Sequence, residues 1–241
     1  MRNREAVIKL VQRALEHEPR IHIHRYPIKV SFSDSAVILE GEVGHPGAKK
    51  LALERAGAVE GIRGVIDRLR VAPAARKGDG AIRDSLCSLL MQESEFRNCA
   101  LRVRAKGSVE TLRDVATDWG GAIEIAVSDG VIALEGNVLS LSHKRAAGVL
   151  AWWAPGCRDV LNSLEVRPPE EDNDSEIVDA MRLVLEMDPL VHADQIHVSC
   201  RDYVVTLDGS ARTETERQQA EFDAWCLFAV DGVVNRIEVR A

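Results

Sequence analysis

The apolar positions of this chain repeat one pattern three times. Ile28-Lys-Val30-Ser-Phe32, Ile123-Glu-Ile125-Ala-Val127 and Ile196-His-Val198-Ser-Cys200 alternate with a period of two, which predicts a half-buried strand in each copy. A turn follows at Ser33-Asp-Ser35, Ser128-Asp-Gly130 and Arg201-Asp-Tyr203, and a return strand at Val37-Ile-Leu39, Ile132-Ala-Leu134 and Val205-Thr-Leu207. Asp-Gly between two such strands is a strong hairpin signal, and Asp alone a weaker one. Thirteen residues after each first strand begins stands a glycine, Gly41, Gly136 or Gly209, which predicts a bend or a close backbone approach.

Measured from that glycine the register holds without a gap. Ala52, Ala147 and Ala220 lie eleven residues on, and Ala56, Ala151 and Ala224 fifteen residues on. Small residues four apart share one helix face and let it lie close against a sheet. Leu69 and Val71, Leu164 and Val166, and Ile237 and Val239 then mark a closing strand. Upstream, each copy opens with a stripe of helical period: Val7, Val11, Ala14 and Leu15; Ile82, Leu86, Leu89 and Leu90; Ile177, Met181, Val184 and Leu185. Glu18-Pro19 and Asp188-Pro189 end two of these helices, because a residue before proline is pushed out of the helical region.

The reading is therefore α+β: three tandem αββαβ modules, each a small three-stranded mixed sheet with two helices on one face. The modules are expected at residues 3–72, 80–167 and 174–241. Between them lie two Pro-, Gly- and charge-rich linkers, at 73–80 and 168–174. The second module is about twenty residues longer. Within the insertion Ser108–Trp119 reads as an additional helix. Leu101-Arg-Val103-Arg-Ala105 competes for the place of first strand, but Ile123–Val127 is preferred because its spacing to Gly136 matches the other copies.

The quoted segments resemble the BON domain. Ser128-Asp-Gly-Val-Ile-Ala-Leu-Glu-Gly136 with Asp159-Val-Leu-Asn162-Ser-Leu-Glu-Val166 carries the resemblance best, and Asp231-Gly-Val-Val-Asn235-Arg-Ile-Glu-Val239 nearly as well. Gly61-Ile-Arg-Gly-Val65-Ile-Asp67-Arg-Leu69 is looser, with Asp where the family has Asn. The resemblance implies attachment to phospholipid surfaces, often in envelope or osmotic-stress settings.

Composition narrows the function. The 241 residues carry 31 Lys and Arg against 38 Asp and Glu, a formal charge of −7, which argues against a binder of long nucleic acid. A KH-like fold has related elements, but no G-x-x-G loop joins two of the predicted helices. Five cysteines with no C-x-x-C pair predict buried thiols in a reducing compartment rather than disulfides or a zinc site. No apolar run is long enough to cross a bilayer and no signal peptide is read at the start, so a cytoplasmic location is expected. No phosphate-binding glycine loop or nucleophile elbow occurs, so no enzymatic activity and no cofactor are expected. His22-x-His24 and His192-x-Asp194, with His197 beyond, read as polar loops rather than a metal site: no helix presents two ligands four apart.

Two features suit a membrane surface. Lys49-Lys50, Lys144-Arg145 and Arg217 begin the second helix of the three copies, a recurring basic ridge that would attract anionic headgroups. Trp152, Trp153 and Trp225 lie at the far end of that helix, suited to lipid contact or to packing between modules. The expectation is a non-enzymatic adapter engaging anionic phospholipid or a membrane-associated protein. The alternative is a protein scaffold using the outer sheet faces, which carry apolar residues such as Val131, Ala133 and Val204, and self-association is a further candidate.

Overall fold

A computed structural model describes residues 4–33, 36–115 and 120–240. The chain divides into two compact units, residues 1–72 and 73–241. In the first, helix α1 (Arg4–Glu16) buries Val7, Val11 and Leu15. It is followed by strands β1 (Ile28–Ser33) and β2 (Ala36–Val43), helix α2 (Pro46–Gly57) and strand β3 (Gly64–Val71). Strand β2 is central, antiparallel to β1 and parallel to β3. The expected turn of this hairpin falls partly outside the described residues.

The second unit holds two further copies. Module two runs through α3 (Asp79–Gln92), β4 (Cys99–Ala105), β5 (Ser108–Arg113), β6 (Gly121–Ser128), β7 (Val131–Val138), α4 (Leu141–Trp153), β8 (Asp159–Asn162) and β9 (Glu165–Val166). Module three runs through α5 (Asp174–Met187), β10 (Ile196–Arg201), β11 (Val204–Ala211), α6 (Glu214–Cys226) and β12 (Gly232–Val239). The sheet of module three has the order and directions of the first.

Module two departs from the expected three strands. Its sheet has six, in the order β5-β4-β6-β7-β8, with β9 also on β7. The insertion is a hairpin, not a helix: β4 lies parallel to β6, and β5 folds back antiparallel on β4. Lys106 and Gly107 join them with φ of 51° and 82°, the pair of positive values that a tight hairpin turn needs. Leu101–Ala105 is thus a strand beside Ile123–Val127 rather than its competitor. The end of the expected helix, through Trp119, lies outside the described residues.

The anchor glycines have a steric cause. Gly136 and Gly209 adopt φ of 118° and 133°, and a Cβ there would sit 2.0 and 2.1 Å from the carbonyl oxygens of Ala122, on the neighbouring strand β6, and Gln195, just before the neighbouring strand β10. Only glycine tolerates that approach. In modules two and three the first residue of the opening helix clasps the hairpin turn. Asp79 accepts the N–H groups of Asp129 and Gly130, and Asp174 those of Asp202 and Tyr203, at 2.9–3.1 Å.

Candidate binding surfaces

Two of the five residues of the basic ridge, Lys49 and Arg145, are spent inside the protein. Lys49 is 8% exposed and its Nζ lies 2.9 Å from Asp67 Oδ2. The cause is the Asp that replaces Asn in the first copy. Asn162 and Asn235 each donate from Nδ2 to a main-chain oxygen on the second helix, Lys144 O at 2.7 Å and Arg217 O at 3.0 Å. Asp67 has no proton to donate and takes the lysine instead. Arg145 is 0% exposed, bonded to Asp172 Oδ1 at 2.6 Å and stacked on the Phe228 ring at 4.6 Å. Lys144 also lies over that ring, at 5.2 Å. Arg217 pairs with Glu214 at 2.8 Å. Lys50 is half-buried. The ridge residues therefore share a position in the repeat but not a role.

The tryptophans divide as well. Trp225 is buried, and Trp152 and Trp153 are half-buried. Trp153 Nε1 donates to Asp223 Oδ1 at 2.9 Å, from α4 of module two to α6 of module three. Arg145 makes a second joint near the other end of α4. Between the two, α4 packs against α5 and α6. Modules two and three thus dock through helices, not through outer sheet faces. The acidic linker takes part: Glu170 Oε2 accepts the Leu141 N–H at 2.7 Å, Asp172 holds Arg145, and Asn173 caps α5.

A buried acid pair lies at this joint. Asp188 follows α5 and Asp223 sits on α6; both are buried. Gln219 Nε2 donates to Asp188 Oδ2 at 2.9 Å and to Asp223 Oδ1 at 3.1 Å. Burial pushes the Asp223 carboxyl up to about 9, and the charge of Asp188 adds to the rise. At the matching place in module one, Arg55 Nη2 reaches Glu18 Oε2 at 3.1 Å. Hydrogen bonds from Arg20 first, and from Arg55, hold Glu18 down at about 2 against a smaller opposing effect of burial.

The histidine loops each line a cavity. One of about 370 Å³ is lined by Glu16, Glu18, His22 and His24, and one of about 600 Å³ by Arg182, Val191, His192 and Asp194. His192 Nδ1 lies 2.8 Å from the buried Glu216 carboxylate, which also accepts the N–H groups of His192 and Arg212. This pair clamps the loop to α6. Among the described residues, no group of three or more His, Cys, Asp or Glu could hold a metal ion.

The BON domain model matches the chain at residues 3–73, 110–168 and 173–241. The chain belongs to the BON domain family. No curated protein matches it. Two solved structures of CdsD, a structural protein of the Type III secretion system of Chlamydia trachomatis, are similar. The first, of its C-terminal domain, has 15% identity over 95% of this chain and 96% of that one, with a TM-score of 0.24. The second has 14% identity over 98% and 92%, with a TM-score of 0.25.

The three BON modules share one surface feature that the apolar alternation alone did not single out. Ile66, Leu161 and Val234 each stand 25 residues past the anchor glycine, on the closing strand, and are 41%, 55% and 39% exposed. They lie beside Ile38, Ala133 and Thr206 on the outer faces. In module two the row runs on through Ala126 and Arg104 to the exposed Val109. Arg104 there pairs with both Glu124 and Glu135. The signal in the sequence is an apolar residue out of phase with the buried Leu69, Leu164 and Ile237, at one position of every copy.

Proposed function

We propose that this BON protein is a non-catalytic adapter whose modules, at 3–72, 80–167 and 174–241, bind a protein partner through their outer sheet faces. The observation that carries this reading is the uncovered apolar residue at one position of all three closing strands, Ile66, Leu161 and Val234. A single exposed apolar side chain is ordinary, but its recurrence at one sheet position in every copy is what a repeated contact requires. The mixed charges around it, such as Arg104 between Glu124 and Glu135, suit a protein surface better than an anionic bilayer. The five free cysteines, four of them buried, support a reducing cytoplasmic setting.

A second reading, attachment to anionic phospholipid, is favoured by the family's association with membranes. It would rest on Lys50, Lys144 and Arg217 with Trp152 and Trp153, since Lys49, Arg145 and Trp225 are buried. Flotation with anionic and with zwitterionic vesicles, at low and moderate salt, separates the two. The adapter reading expects no flotation, and an affinity-captured partner that is lost from Leu161→Glu while the melting temperature holds. Salt-sensitive flotation with anionic vesicles alone, abolished by Lys144→Glu with Arg217→Glu, would replace it with the phospholipid reading.

A further inference from the structure

We propose that modules two and three are held together by a proton-dependent latch, in which Asp223 shares a proton with Asp188 and thereby presents a neutral acceptor to Trp153. Both carboxyls are buried, so two negative charges side by side there would be strongly unfavourable. The hydrogen bonds give the proton its place. Asp188 accepts from Leu190 N and Gln219 Nε2, and Asp223 Oδ1 accepts from Gln219 and Trp153. Asp223 Oδ2 is buried with no donor facing it. A proton on Oδ2 turns that unpartnered oxygen into a donor, and the neighbouring Asp188 carboxyl, bridged to Asp223 by Gln219 Nε2, is the acceptor we assign to it.

The groups that face Asp223 are Asp188 at the end of α5, Gln219 one turn earlier on α6 and Trp153 from α4; of these only Asp188 carries charge. Losing the proton therefore places a second negative charge beside Asp188, with no cation among the described groups that act on Asp223; Arg145, the buried cation of this joint, is bonded to Asp172 near the other end of α4. The other copies set the contrast. Fourteen residues past the anchor glycine, module one has Arg55 and module two Leu150. Arg55 neutralises Glu18 directly, and that pair needs no shared proton. The acid pair is thus confined to the copy whose second helix receives the Trp153 indole.

The test uses the full chain, followed between pH 7 and 10.5 by acrylamide quenching of tryptophan and by small-angle scattering. Trp153→Phe assigns the quenching signal to the joint. The latch predicts that Trp153 becomes accessible and the radius of gyration rises, with a midpoint near 9. Asp223→Asn keeps a neutral acceptor for Trp153 and a donor for Asp188, so it is expected to abolish both changes. Asp188→Asn removes the neighbouring charge and is expected to lower the midpoint, and it carries the test if Asp223→Asn does not fold by circular dichroism. A joint that stays closed throughout the range overturns the latch. So does an opening whose midpoint neither variant moves.

Discussion

Asp67, Asn162 and Asn235 occupy one position of the repeat and show how a single atom reassigns a neighbour. An amide nitrogen can donate to the helix backbone; a carboxylate cannot, and it draws in Lys49 instead. Asp67→Asn is therefore expected to destabilise the first unit, because the buried Lys49 ammonium loses its ion pair with the Asp67 carboxylate. The pair is partly screened, with Asp67 32% exposed, so the loss should be about 1–2 kcal/mol. A chemical-denaturation curve for the full chain would measure it, and adding Lys49→Gln should recover most of the loss. The sequence already showed Asp67 out of pattern and Lys49 in register. The pairing was not legible, because it depends on how the strand meets the helix. The fate of Arg145 was still less so: its partners Asp172 and Phe228 lie outside the repeat register.

At the scale of elements, the repeated strands and helices were legible because each follows one period over several residues. The helix expected over the insertion gives way to a hairpin for a physical reason. Val109 and Leu112 are three apart, as on a helix face, but both are exposed on an edge strand, 52% and 37%. The tight turn at Lys106 and Gly107 and the ladder to β4 override that spacing. The clasp of the hairpin turn is likewise an element-scale device. In modules two and three it is an aspartate at the helix start; Arg4 stands at that place in module one. Asp174→Ala should leave the β10–β11 turn unsatisfied and lower the melting temperature of the second unit. Faster amide exchange confined at first to Asp202 and Tyr203 would identify the clasp as the cause. Unchanged exchange there would remove it.

For the whole molecule the two units should answer pH with opposite signs. Asp223 is raised from its ordinary value to about 9, so the folded second unit holds a proton that the unfolded chain releases above about pH 4. Stability from this group is greatest in acid and falls as pH rises, by about 1.4 kcal/mol per pH unit, until the folded carboxyl itself ionises near 9. Glu18 is held at about 2, so what it contributes to the first unit is complete above its ordinary range and disappears as pH falls toward 2. Calorimetry between pH 6 and 9 should show the transition of the second unit moving down while that of the first stays still. Parallel movement of both would count against this assignment. The acidic stretch after residue 167, which reads as a tether, is strapped to α4 through Glu170 and Asp172. The chain consequently has one natural seam, between residues 72 and 73, and not two. A gene fragment ending at residue 167 would strip α4 of the groups it leans on. For recombination, what looks like three interchangeable beads is one bead and an inseparable couple.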